Sequence, residues 1–251
     1  MISWTCHNFH FLPFLIINIK ESIIVIRETE AKIVGGILVT SAQMKALDRQ
    51  TIEERGVPAL VLMERAALAA VGTLREEGFD LSRTLCFCGP GNNGGDGIAV
   101  ARLMHLAGHD VTVCLVGDFG HCSEETKRQH LIAAGYGVTV ATFDGLSAVE
   151  ACGNGAATTV VDAVFGIGGG RAPAGEYLAA VRMINAARAG GARVLALDIP
   201  SGVSADTGAT AGEAVRADVT VTFAFCKVGL TKQPGSGLAG KVIVKDIGVY
   251  A

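Results

Sequence analysis

From Thr84 onward, short apolar runs alternate with helically spaced ones, and this order constrains the fold more than any other feature of the chain. Thr84 to Cys88 is apolar and β-prone; a glycine-rich turn follows, then Ile98, Val100, Ala101, Leu103 and Met104 at helical spacing. Val111 to Val116 reads as the next strand, Ser123 to Ala134 as a helix, Val138 to Ala141 as a strand and, after a weak helix, Thr159 to Phe165 as another. Glu176 to Ala189 is helical, while Arg193 to Ile199, Val219 to Phe223 and Val242 to Val244 are strands. Strands that are apolar on both faces call for a mostly parallel central sheet with helices on both sides, a three-layer αβα fold. In such sheets ligands bind beyond the carboxyl ends of the strands, which directs attention to the loops after Cys88, Phe165, Ile199 and Phe223.

Two helices precede the alternation. Thr40 and Ser41 offer capping hydroxyls before Met44, Leu47 and Ile52, and Gly56 ends that pattern. Pro58 suits a first helical turn, and Leu60 to Leu74 is apolar nearly all round, which predicts a largely buried second helix. Residues 1–36, rich in Ile and Phe, differ from the Ala-, Gly- and Val-rich remainder and are expected to form a poorly ordered or loosely packed extension, with an extra strand or a targeting segment as the alternative; residues 37–251 then form one domain. The apolar run from Phe9 to Ile19 is broken by Pro13 and is too short to span a bilayer.

A formal net charge of −3 produces no overall field for gathering nucleic acid or an anionic membrane, so neither partner is expected. Cys86, Cys88 and Cys114 fall in apolar strands, where thiols serve as small core hydrophobes, and the seven cysteines include no CxxC pair. A reducing compartment, the cytoplasm, is the expected location.

The run Gly89-Pro90-Gly91-Asn92-Asn93-Gly94-Gly95-Asp96-Gly97 joins a strand to a helix. Its glycines allow a tight turn and bring backbone N–H groups to a helix N-terminus, a setting for an anionic ligand. Gly89, Gly91 and Gly94 satisfy a dinucleotide fingerprint formally, with Asp118 at about the spacing of a ribose-binding acid. Two Asn and an Asp in the same run point further, to a cation or a polar substrate; a turn held by Asx-type hydrogen bonds is the plain alternative. Asp162 stands within an apolar strand and needs a cation or hydrogen-bond donors. Gly166 to Arg171 is a second N–H-rich loop with a cation suited to phosphate, and Asp198-Ile199-Pro200-Ser201-Gly202 sets an acid and a hydroxyl at another strand end.

These segments, with Leu62-Met63-Glu64 and with Ala217 to Phe223 followed by Lys227, resemble the NAD(P)HX epimerase family, the YjeF N-terminal domain, from about Val39 to Gly248. The resemblance implies a Rossmann-like fold and an isomerase that interconverts the R and S forms of NADHX or NADPHX, coupled to a dehydratase that restores the cofactor, with a homodimer as its assembly. It implies substrate binding by Asn92, Asn93, Gly94, Gly95 and Asp96, by Gly166, Ile167, Gly168, Gly169, Gly170, Arg171 and Ala172, and by Asp198. It further implies one potassium ion per subunit on Asn93, Asp162 and Ser201, and Asp198 as the acid set against the hydrated ring. Arg65-Ala66-Ala67 departs from a family pattern that often has Gly after the first Ala, which bears on how substrate approaches that helix; Val228 stands where Pro is commoner.

Two other readings remain at this level. One is an ordinary NAD(P)-binding oxidoreductase resting on Gly89, Gly91, Gly94 and Asp118; the other is a non-catalytic scaffold of the same fold. His105 and His109 are read as surface residues, and Met63 and Met104 as core.

Overall fold

The computed structural model describes residues 36–143, 157–169 and 172–250, and the two strands β1 (Ile16–Ile19) and β2 (Ser22–Val25). These two pair antiparallel with each other and stand outside the main sheet. The weak helix expected before Thr159, and Gly170 and Arg171, fall outside the described residues.

Strand β3 (Leu38–Val39) leads into helix α1 (Ser41–Arg49), extended by a π-turn to Glu54. The expected cap is present as a reciprocal box: the Thr40 hydroxyl accepts from the Gln43 amide at 3.3 Å, while Gln43 Oε1 accepts from the Thr40 amide at 2.9 Å. Thr40→Ala should therefore cost about 1 kcal/mol, read as a small fall in Tm by thermal unfolding; an unchanged Tm would show that the box contributes nothing.

Helix α2 (Ala59–Glu76) follows Pro58 as expected but is not buried all round. Val61 and Leu68 are 45% and 54% exposed, because α2 lies in an outer layer and only the face bearing Leu62, Ala66, Ala70 and Leu74 meets the core. Thereafter come β4 (Thr84–Cys88), α3 (Asn92–Leu106), β5 (Val111–Leu115), α4 (Glu124–Gly135), β6 (Thr139–Thr142), β7 (Thr159–Ala163), α5 (Glu176–Ala189), β8 (Arg193–Leu197), β9 (Val219–Phe223), β10 (Cys226–Lys227), α6 (Gly235–Leu238) and β11 (Lys241–Lys245).

Seven of these strands form one sheet in the order β11-β9-β8-β7-β4-β5-β6, and every pairing in it is parallel. Side-chain alternation divides each strand between two cores. Cys86 and Cys88 face α2 and α3 with Val161 and Leu195, while Leu85, Phe87, Val160 and Val194 face α5 with Val181 and Ile184. The expectation for the thiols holds: Cys86, Cys88 and Cys114 are wholly buried.

The chain builds outward from β4 through β5 to β6, then returns to the other side of β4 with β7 and continues to β8, β9 and β11. The connections therefore diverge between β4 and β7, and such a switch point leaves a crevice beyond the carboxyl ends of those strands. The small parallel pair β3–β10 brings Val39 beside Lys227 and so carries α1 over the same rim.

One boundary differs in kind from the expectation. Asn92 to Gly97 belongs to the first turns of α3 rather than to a loop. Glycine disfavours helix, yet here small size is required: a Cβ on Gly94 would lie 1.7 Å from the Gly89 carbonyl oxygen, and one on Gly97 would lie 2.5 Å from Ala163 Cβ. Close packing of the helix start on the sheet rim overrides propensity.

Candidate active site

A cavity of about 670 Å³ opens at the switch point. Its walls are α1 and α2 (Met44, Asp48, Leu62, Met63, Ala66), the start of α3, the loop from Val164 to Gly169, and the rim residues Asp198, Phe223 and Lys227.

The start of α3 contributes Asn92, Asn93 and Asp96, which share one helix face. Gly94 and Gly95, expected to touch substrate, turn the other way: Gly94 packs on Gly89, and Gly95 on Met63 and Thr126. The N-cap, Gly91, has no side chain to accept from the first helical amides, and its carbonyl accepts from the Gly94 amide at 2.9 Å, so the Asn92 and Asn93 amides are without a side-chain cap. Asn93 is nine-tenths buried, and neither its Oδ1 nor its Nδ2 has a hydrogen-bond partner.

Asp198 follows β8 in a left-handed conformation, φ 67°, and the Ile199 amide bonds back to the Leu197 carbonyl at 2.8 Å. Ala224 repeats this after β9, with φ 60° and the Phe225 amide bonded to the Phe223 carbonyl at 2.7 Å. A hydrogen bond across a single residue with positive φ is a strained tight turn, and such strain collects at functional sites. The first turn aims the Asp198 carboxylate into the cavity; the second folds the chain back so that Lys227 reaches it. Lys227 is 1% exposed, with Nζ 2.5 Å from Asp198 Oδ1, and it also donates to Thr222 Oγ1 at 3.0 Å and to the Phe223 carbonyl at 2.9 Å. The other Asp198 oxygen accepts from the Ile167 amide at 3.3 Å.

Gly166 sits between the two polar groups. A Cβ there would lie 3.2 Å from Asp198 Oδ2 and 3.3 Å from the Asn93 side chain, so the residues expected from α3, from the Gly166 loop and from the Asp198 turn do converge. Ile167, Gly168 and Gly169 line the cavity with Gly166, whereas Ala172 is exposed and outside the lining.

Asp162 lies behind this loop, wholly buried. Its Oδ1 accepts from Ser201 Oγ at 2.6 Å and from the Val164 amide at 3.3 Å, and its Oδ2 accepts from the Ser201 amide at 2.8 Å. Ser201 Oγ in turn accepts from the Phe165 amide at 2.9 Å, which ties the pair to the cavity loop. Burial pushes the Asp162 carboxyl up to about 6, its hydrogen bonds opposing. A cation or hydrogen-bond donors were the expected partners of this acid; the donors are present in Ser201 and Val164, and no basic side chain bonds to it among the described residues.

Two functional groups escaped the residue-level reading. Lys227 figured only in a motif, although a lysine ending an otherwise apolar Val219 to Cys226 segment was the available signal. Asp48 was not singled out, yet it repeats the Met44 and Ile52 positions four residues away on the apolar stripe of α1. Asp118 lies elsewhere: it caps the short 3₁₀ turn Phe119–His121, accepting from the Gly120 amide at 2.8 Å and lying 2.7 Å from His121 Nδ1, with its side chain 70% exposed. The ribose-binding acid of the oxidoreductase reading is thus absent from the cavity lining. Arg65 likewise leaves the cavity clear, since it is exposed and packs on Gly248, while Ala66 faces inward. Met104 is core, and Met63 is buried while also lining the cavity.

The sequence pattern of the family described as YjeF-related protein N-terminus matches residues 59–229. A protein of Levilactobacillus brevis named NAD(P)H-hydrate epimerase is 45% identical over 213 residues, which span 85% of this chain and 94% of that protein. One of the same name from Limosilactobacillus fermentum is 42% identical, covering 84% of this chain and 98% of its own length. The crystal structure of yeast ynu0 shares the fold, with a TM-score of 0.70 at 21% identity over 84% of this chain and 88% of that one.

Proposed function

Since the chain belongs to the YjeF-related N-terminal family, we propose that it is an NAD(P)H-hydrate epimerase, an isomerase that interconverts the R and S forms of NADHX or NADPHX. The observation that carries the reading is the buried Asp198–Lys227 ion pair lining the switch-point crevice, together with Asn93 and the Gly166 loop.

The hydrated carbon is adjacent to the ring nitrogen, so its configuration inverts when its hydroxyl is lost and water returns to the other face. Positioned acid–base groups assist these steps, and Asp198 is proposed as one of them. Lys227 holds the Asp198 carboxylate in one orientation, and Ile167 donates to its second oxygen. The free amides at the start of α3 and the amides of the Gly166 loop suit the pyrophosphate of a dinucleotide. Asn92, Asn93 and Asp96 offer side-chain partners to its polar groups.

The chemistry of the donor set fits a potassium ion. Asn93 has an unsatisfied buried oxygen, and Asp162 is a buried carboxyl without a basic partner among the described residues. Oxygen-only ligands of low total charge suit a hard cation. Asn93, Asp162 and Ser201 would hold one such ion per subunit, and it would offset the Asp162 charge and brace the Val164–Gly169 loop. Among the described residues no helix is long and apolar enough to cross a membrane. A cytoplasmic setting, which rests on the cysteine pattern, and a homodimer and a dehydratase acting after this enzyme, which rest on the family resemblance, complete the reading.

The test supplies one purified epimer of NADHX and follows the R/S ratio by chromatography. Catalysed approach to the equilibrium mixture, with intact NADH left unchanged, is expected. A ratio that drifts no faster than in buffer would overturn the assignment, and oxidation of NADH would favour the oxidoreductase.

A further inference from the structure

Asp48 reaches the cavity from α1, the wall facing the strand ends, and no hydrogen bond of its carboxyl is found among the described residues. The charged groups sharing its surroundings are Lys45 on α1, Asp96 from α3, Asp198 after β8 and Lys227 in β10. Lys227 is committed to Asp198 at 2.5 Å. The cavity therefore holds one carboxylate with its own counter-ion, Asp198, and two carboxyls, Asp48 and Asp96, that no basic side chain bonds among the described residues; burial holds Asp96, at the start of α3, well above the usual carboxylate range, and Asp48 is the one that stands on the opposite wall from Asp198. Asn93 adds a buried, unpartnered amide aimed into the same space, which marks it as a place for a polar ligand.

We propose that Asp48 is a second proton-carrying carboxyl of the epimerase site, paired with Asp198. The proposal rests on the epimerase reading and adds a residue to it. Asp48 gives its proton to the substrate hydroxyl; the C–O bond breaks, water leaves, and the ring nitrogen lone pair becomes the second bond of a cationic C=N group. Water then adds to the opposite face, an oxygen lone pair forming the new C–O bond. The C=N pair returns to nitrogen, and the proton released by that water passes to the Asp198 carboxylate. The two carboxyls hold one proton before and after, the reverse reaction runs the same steps backward, and water returns the proton between turnovers. An inversion requires access to both faces of one carbon, which a single carboxyl cannot provide without moving.

The electrostatics agree with this division. Burial raises the Asp48 carboxyl to about 6, with Asp198 adding to the rise and Lys227 opposing it. The proton-bearing form is thus available near neutrality and is lost as pH climbs past that value, so kcat should fall on the alkaline side.

The experiment compares parent, Asp48→Asn and Asp48→Glu on a single NADHX epimer, with Tm measured for each. For Asp48→Asn, kcat should drop about a hundredfold while KM stays within about threefold, and Asp48→Glu should recover part of the loss. Tm should not fall, because the carboxyl removed bonds to nothing among the described residues, whereas a merely structural role predicts a lower Tm with kcat of the folded fraction intact. An Asp48→Asn kcat within about threefold of the parent overturns the proposal. So does a parent kcat that fails to decline as pH rises through about 6 and beyond, even if Asp48→Asn does not fold. A parent inert toward both epimers sinks the epimerase reading itself, and an active parent with an indifferent Asp48→Asn sinks only the second carboxyl.

Discussion

Asp198→Asn is expected to lower epimerase kcat by about 10²–10⁴-fold, the range typical of removing a positioned acid–base group. The amide has nearly the same shape, so the substrate pocket survives, but it cannot accept a proton from the attacking water. The substitution also strips Lys227 of its counter-ion. A buried ammonium left alone is costly, on the order of 3–5 kcal/mol, whereas replacing both partners of such a pair with apolar groups of similar volume is often neutral. Lys227 is 1% exposed, so this cost is not relieved by solvent. Tm should therefore fall in Asp198→Asn and return in the double variant Asp198→Asn with Lys227→Met, while turnover stays absent from both. Recovery of turnover along with Tm would show that Asp198 acts only through folding. Turnover in the single variant within about tenfold of the parent would remove it from the chemistry altogether.

The second large effect concerns Asp162. Asp162→Ala leaves the Ser201 amide and hydroxyl without their acceptor in a wholly buried place. Each stranded donor costs about 1–3 kcal/mol, and for a chain of this length the sum corresponds to a Tm drop on the order of 5–15 °C. The cation proposal adds a signature that simple loss of hydrogen bonds lacks. Parent Tm should rise when potassium chloride replaces choline chloride at equal ionic strength, and the Asp162→Ala Tm should not respond. An equal potassium response in both proteins would take Asp162 out of the cation site and leave it as the hydrogen-bond anchor of Ser201.

Much of the frame was legible because its signals are local. Glu176 to Ala189 and Val219 to Phe223 were read with the bounds the structure has, since each is a periodic apolar segment closed by residues that break the pattern. The start of α3 was not legible: six residues with three glycines read as a turn, and only packing against Gly89 and Ala163 explains why they are helical. Helix α2 is largely buried, as its apolar run predicts, yet not on every side, for a related reason. An apolar periodicity reports that a face is available for burial, while the number of layers decides whether a second face is covered, and Val61 and Leu68 are left to solvent.

The site shows the same division. Asp162, Asp198, Ser201 and Asn93 stood out because an acid or amide inside or beside an apolar strand demands an explanation. Lys227 and Asp48 did not, because a single charge on a helix or after a strand is ordinary until its surroundings are known. Lys227 becomes significant only when the turn at Ala224 folds it back onto Asp198, and Asp48 only when the β3–β10 pairing lays α1 across the rim.

The order of amino acids by itself determined the layered parallel sheet, the edge of that sheet where chemistry occurs, and the family motifs found there, because periodicity and strand-end composition are carried by residues close together in the chain. The tertiary structure alone decided which polar groups share a cavity and which are consumed in pairing, because residues as far apart in the chain as Asp48, Asp198 and Lys227 meet only when folding brings them to one rim and removes the water between them.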